Sequence, residues 1–203
     1  MSQSIDTIAE LEAHYGNVNP RSITKELDHL ADIYRPFIEK APFCILATSG
    51  PDGLDCTPRG DPPGFVRIQD NKTLLLPDRR GNNRLDSLRN IIANPEIALI
   101  FLIPGIGETL RVSGTATISL DPELRDSLAI QGKPPSTVLV IAVRKVYFQC
   151  QKALHRSKLW DPDSRVERSA LPTAGEILSS IDAGFDGKSY DKGYPDHMKK
   201  TIY

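Results

Sequence analysis

Residues 42–60 read PFCILATSGPDGLDCTPRG. Two runs that suit a pleated strand flank Asp52-Gly53, and an Asp-Gly pair supplies the positive φ that a short hairpin needs. The stretch therefore reads as strand, tight turn, strand. FVRIQDNKTLLLP, residues 65–77, repeats the pattern around Asp70-Asn71, so a second hairpin follows the first. Consecutive hairpins imply an antiparallel sheet.

Working outward toward the N-terminus, Ile5 to Tyr15 and Ser22 to Lys40 both carry helical periodicity. The second run places Ile23, Leu27, Leu30, Ile33 and Phe37 on one face of a predicted helix. In the other direction, EIALIFLIP (residues 96–104) is apolar throughout and reads as a strand covered on both faces, or nearly so. GIGETLRVSGTATISL then alternates. Leu110, Val112, Ala116 and Ile118 point one way; Thr109, Arg111, Ser113, Thr115 and Thr117 point the other. Pro122 to Gln131 reads as a short helix, and STVLVIAVRKVYFQCQ as a long strand ending near Lys152. Six or seven strands joined mostly as hairpins, with two short helices between them, describe a mainly β, α+β chain: an antiparallel barrel with helical decoration. The expected organisation is a helical extension over residues 1–41, the barrel over 42–158 and a surface extension over 159–203, all in one structural domain.

The chain has 203 residues, enough to bury a sizeable core without disulfide staples. Lys+Arg 25 against Asp+Glu 26 leaves a net charge of -1, so no overall positive field recruits nucleic acid or anionic lipid, and any anion site must be local. Cys44, Cys56 and Cys150 are odd in number and lie in or beside strand patterns where buried thiols are common, which favours a reducing compartment. Asp6, Glu10, Glu12, Lys25 and Glu26 interrupt the first thirty residues, so these read as neither a signal peptide nor a membrane span. The expected location is the cytoplasm.

The usual fingerprints are missing. His14, His29, His155 and His197 show no HExxH or paired spacing, and the cysteines form no CxxC, so no metal site is expected. There is no nucleophile elbow and no Walker loop, and Gly105-Ile106-Gly107 leads into a strand rather than a helix. Arg59-Gly60-Asp61 is also an adhesion tripeptide, set aside because three-letter matches arise by chance.

One segment remains unexplained: PDRRGNNRLDSLRNIIANP, Pro77 to Pro95. Arg79, Arg80, Arg84, Asn82, Asn83 and Gly81 crowd ahead of a helical pattern at Leu85, Leu88, Ile91 and Ile92 that stops at Asn94-Pro95. Two readings are open: a solvated loop with an ordinary Asn cap, or a phosphate cradle. For the second, arginine forks would grip phosphate oxygens while Gly81 lets the backbone approach and the helix start adds its positive dipole end.

Taken together, PFCILATSGPDG, TPRGDPPGF, LLLPDRRGNNRLDSLRNIIANP, GIGETLRVSGTA and QCQKALHRSKLWDP resemble, in order and separation, the FMN-binding split β-barrel family related to pyridoxamine 5'-phosphate oxidase. The similarity covers roughly Pro42 to Asp161 and is closest to a subgroup described only as FMN-dependent enzymes. The resemblance implies an FMN-binding antiparallel split barrel. It places Arg59, Pro77, Asp78, Arg79, Arg80, Asn82, Asn83 and Arg84 at the flavin phosphate and ribityl chain. Thr109, beside Glu108, falls where the family usually has a glutamine reaching the flavin from the partner subunit, with Arg111 following. Lys152, His155, Arg156, Ser157 and Trp160 lie where members often reach flavin or substrate; Trp160 can equally be a subunit-packing aromatic. The implied partners are a second copy of the chain, with FMN at the interface, and a small-molecule substrate. The C-terminal GYPDHMKKTIY lacks the Trp and Arg arrangement of true pyridoxamine phosphate oxidases, so vitamin B6 oxidation is not expected. No residue is singled out as a catalytic acid or base. Deazaflavin or haem use on the same fold, and flavin binding without catalysis, are the alternatives.

Overall fold

The computed structural model describes residues 4–203. Helix α1 (Ile8–Tyr15) starts at a capping box in which Thr7 and Glu10 satisfy each other's backbone N–H groups, and it buries none of its side chains. The periodic run from Ser22 to Lys40 is not one helix. Instead α2 spans Pro20–Thr24, an extended stretch follows, a 3-10 turn covers Asp32–Tyr34, and α3 covers Arg35–Glu39. Two physical causes break it. Leu27 exchanges both backbone hydrogen bonds with Val146, at 2.9 and 2.8 Å, and Leu30 N–H donates to the Asn71 carbonyl between the strands of the second hairpin, so this backbone is claimed by distant partners. Pro36 would clash with the Asp32 carbonyl inside a continuous helix and is tolerated only in the first turn of α3. The expected apolar face is accordingly split. Leu30 is buried and Leu27 and Phe37 pack against the core, whereas Ile23 and Ile33 are exposed.

Strands β1 (Phe43–Gly50) and β2 (Gly53–Gly60) form the first hairpin, with Gly50 opposite Gly53 and φ +111° at Gly53. Pro51 and Asp52 occupy its tip, one position earlier than Asp52-Gly53 suggests. In the second hairpin β3 is only Arg67–Ile68, because Phe65 and Val66 before it turn into the core, and β4 is Thr73–Asp78. Next come α4 (Asp86–Ala93), β5 (Glu96–Leu102), β6 (Thr109–Ser119), α5 (Pro122–Ser127) and β7 (Thr137–Gln149). The tail adds α6 (Lys152–Ser157), α7 (Ala174–Ile181) and α8 (Gly187–Thr201).

All seven strands join one sheet in the order β2-β1-β5-β6-β7-β4-β3, and every neighbouring pair is antiparallel. Among the described residues no ladder joins β2 to β3, so backbone pairing does not close the sheet into a barrel. One face carries the core: Leu46, Leu99, Phe101, Leu110, Val112, Leu139 and Ile141, capped by Leu30, Tyr34, Ile38 and Ala41 of the N-terminal segment. The strand at EIALIFLIP is not evenly covered. Ile97, Leu99 and Phe101 are buried, but Ala98, Ile100 and Leu102 on the other face are only half-buried. A bulge between Ser113 and Gly114 shifts β6 against β7; a Cβ at Gly114 would lie 2.0 Å from the Ala142 carbonyl oxygen.

Candidate functional site

Strands β2 and β4 are separated by four others along the ladder, yet their side chains meet: Arg59 Nη1 donates to Asp78 Oδ1 at 2.5 Å. Around this pair opens a cleft of about 820 Å³. Its walls are Asp55 to Asp61 and Phe65 on one side. Opposite lie Pro77 and Asp78, the loop from Arg79 to Leu85, the first turn of α4 from Asp86 to Leu88, and Ser136 with Thr137 at the start of β7. Eight sequence-predicted residues thus line one cavity: Arg59, Pro77, Asp78, Arg79, Arg80, Asn82, Asn83 and Arg84.

The charges are arranged by depth. Deep in the cleft, Arg59 answers Asp78, with the two side chains 20% and 13% exposed, and Arg79 Nε donates to Asp61 Oδ2 at 2.8 Å, at 17% and 3%. Arg79 Nη1 also donates to the Leu128 carbonyl. Arg79 is therefore a wall component held by its neighbours rather than an open fork. At the rim, Arg84 Nε meets Asp86 in an exposed pair, of the kind that contributes about 0–1 kcal/mol, and Arg80 makes no salt bridge among the described residues. Arg80, Arg84, Asn82 and Asn83 are thus the accessible donors. Two further atoms in the lining are buried without a partner, Arg59 Nε and Thr137 Oγ1. A buried donor left unmatched costs about 1–3 kcal/mol, so both invite an acceptor in the cleft.

The loop is strained. Asn83 has φ 59° and Leu85 φ 63°, and for a leucine the left-handed region costs about 1–2 kcal/mol. Leu85 occupies the cap position of α4 and no side chain caps the helix, so the ordinary Asn cap is absent; Asn82 Oδ1 instead accepts from Arg84 N–H within the loop. The helix is fixed by its flank: Ser87 Oγ donates to Asp55, Asn90 Nδ2 to Thr48 and Asn94 Nδ2 to Ser49. Gly50 makes this approach possible, because a Cβ there would lie 2.0 Å from Asn90 Oδ1. Leu88 and Ile91 face the core as the helical period requires, while Leu85 and Ile92 are exposed. Gly81 faces open space, with no atom within 4 Å of where a Cβ would sit.

The model for the family described as pyridoxamine 5'-phosphate oxidase matches residues 30–150. The chain belongs to that family. Among solved structures, a point variant of HupZ of Group A Streptococcus matches 59% of this chain and 99% of its own at 19% identity, with a TM-score of 0.50. A Clostridium acetobutylicum protein related to general stress protein 26 matches 57% and 84% at 16% identity and a TM-score of 0.45. An F420 reductase matches 59% and 98% at 25% identity and 0.41. The likeness to HupZ concerns the fold alone. A comparison with curated protein sequences gives no match.

In this member of the pyridoxamine 5'-phosphate oxidase family three sequence-predicted residues lie outside the cleft. Thr109 is buried opposite Gln149; Arg111 lies over the Tyr147 ring at 5.4 Å on the half-buried outer face; Trp160 Nε1 donates to the Ile106 carbonyl at 2.8 Å. Lys152, His155, Arg156 and Ser157, all on α6, do not line the cleft either. Several cleft residues carry no signal in the sequence. Asp61 sits in the Arg59-Gly60-Asp61 tripeptide, which has no bearing on a cleft, and Asp55, Ser87, Ser136 and Thr137 belong to no motif. Of the thiols only Cys44 is buried, and burial pushes it up to about 12 against a smaller opposing effect of Arg59. Cys56 and Cys150 are exposed, against expectation: Cys56 lies within the edge strand β2 opposite the half-buried Ala47, on the face away from the core, and Cys150 follows the end of β7. Among the described residues no cluster of His, Cys, Asp and Glu could hold a metal ion, and no helix is long and apolar enough to cross a membrane.

Proposed function

We propose that the chain binds FMN in this cleft and works as an FMN-dependent oxidoreductase on a small molecule. The observation that carries it is the gathering of Arg59 and the whole Pro77–Leu88 segment along one cavity whose volume suits a cofactor. The donor set fits a flavin phosphate. Asp61 and Asp78 are already neutralised at depth, Arg80, Arg84, Asn82 and Asn83 stand accessible at the rim, and Arg59 Nε and Thr137 Oγ1 await an acceptor. When bound, the flavin supplies hydride and electron transfer from its own ring. The protein's part is to hold the phosphate with Arg80 and Arg84, to set depth with Arg59 and Thr137, and to wall the site with Pro58, Phe65 and Pro77.

A homodimer belongs to this proposal. Thr109, Arg111 and Trp160 do not line the cleft of their own chain, so any contact they make with its ligand has to come from a second copy. The outer sheet face supports such an arrangement, since Ile45, Ile100, Arg111 and Tyr147 form one cross-strand row and Phe43 and Leu102 extend it. A two-fold pair would build two equivalent sites.

One observation favours flavin binding without catalysis. Every carboxylate in the lining has a partner: Asp55 with Ser87, Asp61 with Arg79, Asp78 with Arg59 and Asp86 with Arg84; and the lining holds no histidine. A protein acid or base is not poised there. The visible spectrum of the purified protein and titration with FMN and riboflavin test the cofactor: flavin bands and a preference for FMN are expected. A Soret band, or equal binding of FMN and riboflavin, would refute the FMN cradle. Bleaching of the bound flavin by a reduced nicotinamide dinucleotide supports the enzyme, and redox silence toward all donors supports the binder.

A further inference from the structure

The tail from Ala174 onward is a hairpin of two exposed helices, closed on itself where Gly175 and Gly187 come into backbone contact and Asp191 accepts from Gly175 N–H. Among the described residues, every hydrogen bond from Ala174–Tyr203 to chain before Thr173 is made by Tyr203. Its hydroxyl donates to Asp61 Oδ1 at 2.6 Å, 142 positions away in sequence. Its ring lies 5.8 Å from the Arg79 guanidinium, and Lys133 Nζ donates to its main-chain oxygen at 2.9 Å. Asp61 thus receives Tyr203 on one carboxylate oxygen and Arg79 on the other. Arg79 is the first residue after β4 and the root of the loop that bears the accessible donors.

Resting on the phosphate role given to that loop above, we propose that Tyr203 is a positioning residue for the phosphate cradle. Its hydroxyl fixes Asp61, Asp61 fixes the Arg79 guanidinium, and Arg79 anchors one end of a segment that contains two left-handed non-glycine residues. Such a segment keeps a single conformation only when its ends are held. The other end is held by Ser87 on Asp55. The α7–α8 hairpin thereby controls how well the cleft reads a terminal phosphate without touching the ligand. Raising of the phenol's pKa by the bond to Asp61 agrees with a donor engaged on a carboxylate.

The test compares wild type, Tyr203→Phe and Lys133→Met in the full chain, titrated separately with FMN and riboflavin by fluorescence quenching. A hydrogen bond to a charged group is worth about tenfold or more in an equilibrium constant, so coupling of the Tyr203 bond to ligand binding can reach that scale. Tyr203→Phe is expected to weaken FMN by about that factor and leave riboflavin unchanged. Lys133→Met, which loosens Tyr203 more gently, shifts the same ratio in the same direction. Limited trypsin digestion without ligand supplies a second readout: cleavage after Arg80 or Arg84 is expected to accelerate in Tyr203→Phe. An unchanged FMN to riboflavin ratio in both variants overturns the proposal, as does a parallel weakening of both ligands, which would mark Tyr203 as a general packing residue. Unaltered cleavage of the loop overturns it too. A wild-type chain that does not distinguish FMN from riboflavin overturns the cradle itself, and the proposal with it.

Discussion

Asp78 and Arg59 show how a single residue can belong to fold and site at once. Their ion pair joins the edge strand β2 to β4, with four strands between them in the sheet, and Arg59 keeps a second nitrogen buried and unmatched. Asp78→Ala leaves the guanidinium without its carboxylate, so unfolding in urea should show a loss of about 1.5–3 kcal/mol. At the rim the effects should be on ligand instead: Arg80→Ala and Arg84→Ala each weaken FMN by about tenfold with little change in the urea midpoint. The thiols give a third expectation. A thiol reagent acting on the native protein should modify Cys56 and Cys150 and spare Cys44, because only Cys44 is buried. The basic segment was legible as a candidate because arginines, asparagines and a glycine crowd before a helix. Its division into held and accessible arginines was not, since that depends on Asp61, Leu128 and Tyr203, which are distant in sequence.

At the scale of elements, hairpins announced themselves through alternation and turn residues, and the strands other than the short β3 lie where the pattern put them. Helices were less legible. The period across Ser22–Lys40 is sound as a pattern, but Leu27 gives its backbone groups to β7 and Leu30 its N–H to the turn between β3 and β4, and no local signal reports a long-range bridge. The α8 segment carries Gly187, Gly193 and Pro195, which read as a tail, yet it is a helix with Asp186 as its cap. Two element-level outcomes follow from the packing. Gly114→Ala must push the Ala142 carbonyl away at the bulge, and overpacking of this kind costs about 1–3 kcal/mol, to be read from thermal melts. The phenol of Tyr203 is raised above its ordinary value of 10.0, so the hairpin's hold is fully present below that value and is lost as pH rises through the raised one. Ultraviolet titration should show a late tyrosine ionisation that Tyr203→Phe removes.

For the whole molecule, the half-buried outer face and the residues stranded outside the cleft lead to one solution measurement. Ligand shared across an interface stabilises the assembly by mass action, so FMN should raise the melting temperature and strengthen self-association together. Sedimentation at falling concentration, with and without FMN, checks this; a monomer carrying one FMN per chain would return every contact to one copy. The strand order has a further consequence, for the order of folding events. Each hairpin can form early from neighbours in sequence, yet the two come to rest toward opposite edges of the sheet, with β1, β5, β6 and β7 between β2 and β4. Loop-closure entropy makes such distant pairings slow. Arg59 and Asp78, only 19 positions apart, therefore meet among the last events, after the chain between and beyond them has docked. In stopped-flow refolding with FMN added, the quenching of FMN fluorescence should lag the recovery of the β-sheet circular dichroism signal, timing the meeting of the two walls of the cleft.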